Sequence, residues 1–442
     1  MKLRQSFGAL GDRRFAWYFA ARTVSTVGSV MAPVALAFAV LHVDESAGAL
    51  AQVLGARTLA MVVFLLVGGV IADRFSRITV MQVSHALTLL TQGAAAALVI
   101  SGHATLTQLT VIEALNGAVS AFTMPAMMGI VPLVVERSRL QQANALLSFS
   151  RSGLAVVGPA VAGGLVVSVG PGWALAVDAL TYVVAIVCLS RVRLPRSDVA
   201  APSGATPPRS SMVRDIKEGW GEFTRREWLW VVVLVFGVLN AIHIGVLGVL
   251  GPLVATSNPS IGEAGWGIIL SAEAVGTVLM TLVMLRLRLP HPLRAGMLAM
   301  TLLAVPMAIL GLDPSLVPVA LGFLVAGAAV EVFGVGWSTA LHEHVPLAVL
   351  SRVSSYDALG SFVAMPVGTF LYGWLAAVVD LESLLVGSAA VYLVVALSAL
   401  LSRSVRDLSH DDVPDAVPDA TTASDTAHDA TPADGQALES RS

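Results

Sequence analysis

Charge is what this sequence lacks most. Only 12% of its 442 residues are Asp, Glu, Lys or Arg, against 56% hydrophobic residues and a mean hydropathy of +0.80. A water-soluble protein carries about 25% charged residues, and half that density cannot clothe a soluble surface of this length. Cysteine is almost absent: the single Cys188 excludes an intrachain disulfide and suggests no metal cluster. There is no Gly-x-x-x-x-Gly-Lys phosphate loop, so ATP is not the expected energy source. No Ser/His/Asp or metal-ligand spacing stands out; His342 and His344 flank Glu343 with no second ligand cluster. Basic residues form no stripe outside short loops, which speaks against nucleic-acid binding. An enzyme, a cofactor and a nucleic-acid partner are therefore unexpected.

Long apolar runs are what the sequence has. A membrane span needs about 20 largely apolar residues. Twelve such runs are present, at 16–41, 48–71, 78–100, 106–128, 143–169, 174–192, 228–255, 264–285, 294–311, 316–338, 355–379 and 383–403. In lipid, backbone groups must be satisfied within the segment, so these runs are expected to be helices. The basic start is followed by no small-residue cleavage site, and the first run reads as a retained span. The bilayer itself is thus an expected partner.

Lys and Arg set the orientation. They occur at Lys2, Arg4, Arg13 and Arg14, at Arg74 and Arg77, at Arg137 and Arg139, across 191–226, at Arg286, Arg288 and Arg294, at Arg352, and at Arg403 and Arg406. The alternate loops, 42–47, 101–105, 170–173, 256–263, 311–315 and 380–383, hold none. Both termini are accordingly expected in the cytoplasm and the protein in the inner (plasma) membrane.

Four regions follow: an N-terminal six-span bundle (1–193), a cytoplasmic linker (194–227), a C-terminal six-span bundle (228–405) and an acidic tail (406–442). The linker begins Pro/Ser/Ala-rich and continues through Ile216, Trp220 and Phe223 at helical spacing, as an interfacial amphipathic helix or a plain tether. The tail has low hydrophobicity and no periodic apolar face, so disorder is expected there. The two bundles look like copies. Val131-Pro132-Leu133 is answered by Val345-Pro346-Leu347, Ser138-Arg139 by Ser351-Arg352, and Ala143-Asn144-Ala145-Leu146 by Tyr356-Asp357-Ala358-Leu359. Parallel halves of this kind suggest a cavity between them.

The turn after the second run reads Gly69-Val-Ile-Ala-Asp73-Arg74-Phe-Ser-Arg77. With it the chain resembles the major facilitator superfamily, in its drug- and siderophore-exporter branch (enterobactin-exporter-like), over residues 12–405. Gly69, Asp73, Arg74 and Arg77 match the family's loop motif; Ser76 and Ile78 depart from it. The resemblance implies an all-α membrane protein with twelve transmembrane helices in two pseudo-symmetric six-helix bundles. It also implies that Asp73 and Arg77 latch the cytoplasmic gate, with Arg74 serving either the gate or topology alone. In span four the family carries an Arg where this chain has Glu113, before Asn116-Gly117; the family's usual Asp-to-Arg relay is thereby in doubt. Span five holds Gly158-Pro159-Ala-Val-Ala-Gly163-Gly164, a partial match to the exporters' Gly-Pro-x-x-Gly-Gly, suited to close helix packing.

Ionisable residues inside spans are costly and are functional candidates by default. Glu113, Asn116, Glu331, Arg22, Asn240 and His243 are the candidates for proton or substrate handling; each also has a plain reading as a helix–helix hydrogen bond or a locally paired charge. Arg57 and Glu273 occupy similar places in spans two and eight and are expected to pair across the outer gate, or else each within its own half. Asp178 and Asp357 lie near the two surfaces and read as wet. The favoured function is a monomeric secondary active transporter that exports a small amphiphilic compound in exchange for protons. A proton-symport importer of the same fold and a non-transporting membrane sensor or scaffold are the alternatives.

Overall fold

A computed structural model describes residues 8–136, 139–192, 220–221, 223–284, 286–287, 289–345 and 347–409. Within these, the side chains at 8–9, 65–74, 124–126, 128–129, 132, 141, 347–352, 354–355, 358–359 and 361–362 fall outside the description. The secondary structure described is helical throughout. Six long helices form the first half: α1 (Arg13–Val43), α2 (Ala47–Arg74), α3 (Arg77–Ile100), α4 (Leu106–Val134), α5 (Leu140–Val169) and α6 (Pro171–Ser190). Six form the second: α7 (Glu227–Ser257), α8 (Gly262–Met284), α9 (Pro292–Leu312), α10 (Leu316–His344), α11 (Leu347–Val378) and α12 (Leu381–Leu401). Among the described residues, ten helices are long and apolar enough to cross a membrane. The other two, α4 and α11, have 29 and 32 residues and stand where the fourth and eleventh spans are expected.

Local signals set where helices begin. The Asp12 carboxylate accepts from the Arg14 amide at 2.9 Å to start α1. Thr105 and Gln108 form a reciprocal capping box at the head of α4. Asp380 accepts from the Ser383 amide at 2.8 Å to start α12. The tight turns before α6 and α8 use Gly170 and Gly262 at φ 94° and 63°, where a side chain would be strained. In α7 the helix widens into one π turn at Val246–Leu250.

The helices pack as two copies of one pattern. In the first half α1 packs on α5 and α6, α2 on α4, and α3 on α4 and α6. In the second half α7 packs on α11 and α12, α8 on α10, and α9 on α10 and α12. Each contact of one half has its counterpart six helices on. The halves meet through α5 against α8 and α2 against α11, again a symmetric pair.

Two ends are distinguished below by their loops: a basic end, where the Arg-rich loops lie, and an acidic end opposite. Toward the acidic end the halves are tightly joined. Gly163 of α5 lies 3.0 Å, measured from a Cβ position, from the Ala264 backbone of α8. The Ala160 amide donates to Ser271 Oγ at 3.1 Å. Gly267 abuts the Pro159 carbonyl, and Gly373 of α11 abuts Ala51 of α2. Toward the basic end α5 and α8 diverge. Phe149 stands eleven residues before Ala160, and Leu282 eleven after Ser271, so each lies on the mating face of its helix, within about 20° at 3.6 residues per turn. Yet Phe149 is 80% exposed and Leu282 58% exposed.

Residues 212–219 of the expected linker helix lie outside the description, as do the tail residues 410–442. The described end of the linker is helical at Trp220 and at 223–225. It is docked on the bundle rather than lying free: Trp220 and Phe223 pack on each other and on Tyr356 of α11, with ring centroids 5.5–5.8 Å apart. After α12, the short helix Arg403–Arg406 is tied to α7 by Ser402, whose hydroxyl donates to Glu227 at 2.8 Å.

Candidate functional site

A buried polar cluster occupies the interior of the first half. Glu113 of α4 is fully buried, and three donors from three helices reach its carboxylate. Arg57 Nη1 of α2 donates to Oε2 at 3.2 Å, Gln92 Nε2 of α3 to Oε1 at 3.3 Å, and Asn116 Nδ2 of α4 itself to Oε2 at 3.4 Å. A buried carboxylate without such partners would be prohibitively costly; here a cation and two amides reach it. Asn116 can reach it because residues three apart share a helix face. Arg57 can reach it because Gly117 lets the α2 backbone close in: a Cβ there would run into the Arg57 carbonyl.

One wall of this cluster opens on a central cavity. Arg57 lines a chamber of about 310 Å³ between the halves, with Pro33 and Val34 of α1, Leu54 and Met61 of α2, Ile244, Leu247 and Gly248 of α7, Trp266 and Leu270 of α8, and Met365 and Thr369 of α11. The chamber sits under the acidic-end seal, where Gly55 meets the Phe370 ring. Arg57 is its charged group, and the rest of this lining is almost wholly apolar. The π turn of α7 places Gly248 on the chamber wall. From there the same face of α7 runs toward the basic end through Ala241, Gly237, Leu234 and Trp230, where it walls an apolar groove of about 780 Å³ with Gly360, Val363 and Val367 of α11. Such surroundings suit an apolar or amphiphilic molecule and would leave the hydroxyls of a sugar without partners.

The expected pair between Arg57 and Glu273 is not formed in this structure. Arg57 is held by Glu113, and Glu273 of α8 has His243 of α7 at 3.9 Å. Arg57 is bonded inside its own half and Glu273 stands beside a residue of its own, because α2 and α8 pack first on α4 and α10 of the same bundle. Glu331 is half-buried and accepts from the Thr281 hydroxyl at 2.8 Å. With Ser338, Thr339, His342 and Glu343 it lines a polar cleft on α10 toward the basic end, not an apolar pocket. Asn240 is half-buried on α7 and makes no hydrogen bond among the described residues. Arg22 of α1 is half-buried, its carbonyl accepting from Ser25 and Thr26. Of the packing motif, Gly158 meets Val30 of α1, and Pro159 and Gly163 meet α8; Gly164 faces open space. The backbone of Gly69, Asp73 and Arg74 is helical, but their side chains lie outside the description; Arg77 is half-buried and partnered.

Asp178 is a correction. It is not wet but 1% exposed, on α6 against Gly28 of α1, and neither carboxyl oxygen has a hydrogen-bond partner among the described residues. Asp357 is half-buried and accepts from the Trp337 indole at 3.0 Å. Sequence reasoning also missed Gln92, His85 and Tyr182. Tyr182 is bonded to the Ser29 hydroxyl at 3.2 Å and its ring centroid lies 5.3 Å from that of His85. The available signal was positional: His85 and Gln92 stand two turns apart on α3, and Asp178 and Tyr182 one turn apart on α6, so each pair shares a helix face.

Comparison with known proteins agrees with this architecture. The family model for transmembrane secretion effectors matches residues 4–432. The multidrug efflux pump Tap of Mycobacterium tuberculosis is 24% identical over 404 residues, 88% of this chain and 93% of that protein. An uncharacterized MFS-type transporter, y4rN, of Sinorhizobium fredii is 28% identical over 62% of this chain, a match spanning 64% of the relative's length. Among solved structures, the nucleoside transporter NupG superposes with a TM-score of 0.67 at 14% identity, covering 87% of this chain and 98% of NupG. A bacterial homologue of the iron transporter ferroportin gives 0.65 at 15% identity, over 88% and 98%. At such identities the solved structures speak to the fold alone.

Proposed function

We propose a function from one premise: the chain belongs to the transmembrane secretion effector family, within the major facilitator superfamily, and is a multi-pass membrane transporter. It exports a small amphiphilic compound from the cytoplasm by alternating access, driven by protons moving inward. The single observation that carries this reading is Arg57. One residue both lines the apolar central chamber and binds the fully buried Glu113. Protonation of Glu113 would free the Arg57 cation, and binding at the chamber wall would be felt by the acid behind it. Coupling of this kind needs only that each ligand favour a different conformer. The efflux-pump relative supports the outward direction. The divergence of α5 and α8 toward the basic end supports a chamber reached from the cytoplasm in this conformer, the side to which the Arg-rich loops assign that end.

The test is accumulation of a panel of fluorescent amphiphiles in cells with and without the protein, each with and without a protonophore. Lower accumulation that the protonophore abolishes is expected. Raised accumulation would replace export by proton-symport import. No difference across a broad panel would remove transport of amphiphiles from consideration.

A further inference from the structure

Asp178 has no part in the pair just described, yet among the described residues of the first half it is an ionisable group with both polar atoms unpartnered. Its carboxyl lies on α6, 1% exposed, with Oδ1 and Oδ2 both lacking a hydrogen-bond partner among the described residues. Space for it exists only because residue 28 of α1 is glycine: a Cβ there would collide with Oδ1. The nearby Thr181 hydroxyl is turned away, donating to the Asp178 carbonyl at 2.7 Å. An ionised carboxylate in that position would be buried with no compensating bond, at a cost of many kcal/mol. A protonated one loses far less.

The charges around it close the argument. Arg57 of α2 and Glu113 of α4 lie within electrostatic reach of Asp178. From the other elements the neighbouring polar cluster receives Tyr18 and Arg22 of α1, His85 of α3, Arg151 of α5 and Tyr182 of α6. Arg22 is engaged in that second set and Arg151 is exposed on α5. Among the described residues Arg57 is bonded to Glu113 and makes no bond to Asp178. With Arg57 bonded to Glu113, a second buried carboxyl has no partner for a charge and keeps its proton. Glu113 has the Arg57 bond and two amide donors; Asp178 has none among the described residues.

We infer that Asp178 is a proton-binding residue of the transport cycle, a buried acid that stands protonated beside the bonded Arg57–Glu113 pair. The inference rests on the proton-coupled reading above and adds to it where the proton resides in the conformer seen. When Arg57 is drawn from Glu113, the proton has a second acid to pass to without the cluster changing its net charge.

The experiment separates the two claims. Infrared difference spectra of the purified full-length protein, taken through a pH titration, report the carbonyl stretch of protonated carboxyl groups. The wild type should show such a band at neutral pH, and Asp178→Asn should lose it while keeping its melting temperature and gel-filtration profile. Glu113→Gln, with Asp178 intact, should move the titration of the band to lower pH, because Arg57 becomes free to stabilise the Asp178 carboxylate. Even if Asp178→Asn fails to fold, that shift remains a test. A band unchanged in Asp178→Asn, or unmoved in Glu113→Gln, overturns the inference whatever the transport data say. In vesicles with an imposed pH gradient, using an amphiphile the wild type moves, Asp178→Asn should lose gradient-driven accumulation and keep downhill flux. Gradient-driven accumulation equal to wild type overturns the inference. A wild type that moves no amphiphile against its gradient, yet shows the band, would instead defeat the proton-coupled reading.

Discussion

Both halves thread one helix backbone past another at a glycine, and then do opposite things with the space. Gly117 is the twelfth residue of α4 and Gly327 the twelfth of α10, in helices of 29 residues each. Gly117 admits the Arg57 carbonyl of α2; Gly327 admits the Glu273 carbonyl of α8. One turn earlier the first half carries Glu113, bonded to Arg57, while the second carries Phe323, 1% exposed and packed edge-on against Trp266. The scaffold is shared and the chemistry is not. Backbone approach depends on a missing side chain, which either copy can keep; charge burial depends on a complete set of partners, which one copy kept.

The sharpest way to break this contrast is Glu113→Ala. It leaves Arg57 without its counter-ion in the first half, and removing one partner of a buried pair costs about 3–5 kcal/mol. The melting temperature in detergent should fall accordingly and transport should be lost. The double change Arg57→Leu with Glu113→Leu should return most of the stability, since apolar replacement of a buried pair is often neutral, and none of the transport. Next in size, Gly117→Leu and Gly327→Leu should each cost about 1–3 kcal/mol by overpacking. Similar losses in the two melts would bear out the shared backbone; a loss confined to one half would refute it.

Helix caps give a smaller contrast. Thr105→Ala at the neutral capping box of α4 should cost about 0.5–2 kcal/mol, equally at pH 7 and pH 3. Asp380→Ala at α12 should lower the melting temperature slightly, and only at the higher pH. Bonds from the Ser383 backbone and side chain hold the Asp380 carboxyl below its ordinary value. Its contribution is therefore present above the unfolded value and fades as pH falls through the folded one. The smallest expected effect is a null. Arg57→Glu and Glu273→Arg should combine with a coupling within about 0.5 kcal/mol of zero, because each residue is held inside its own half. Recovery of stability in the double variant would restore the expected pair across the gate.

The sequence carried the architecture because lipid leaves few choices. Twelve apolar runs of span length, alternating with loops that do or do not hold Arg, specify twelve helices and their order with no reference to packing. The repeated Val-Pro-Leu and Ser-Arg motifs pointed to a duplication, and the helix contacts repeat in the same order. Glu113 and Asn116 were legible as candidates because a carboxylate in a span is costly wherever it points. What sequence alone left undecided was partnership. Arg57 and Glu273 sit at matching positions in the chain, yet Arg57 finds the Glu113 carboxylate of α4 while Glu273 finds His243 of α7. Asp178 reads as a surface acid by its distance from the helix end; only the approach of α1 at Gly28 makes it a buried one. Hydropathy is a property of each segment and survives reading in one dimension. Pairing and burial of charge are properties of contacts between helices far apart in the chain, and those exist only once the bundle has closed.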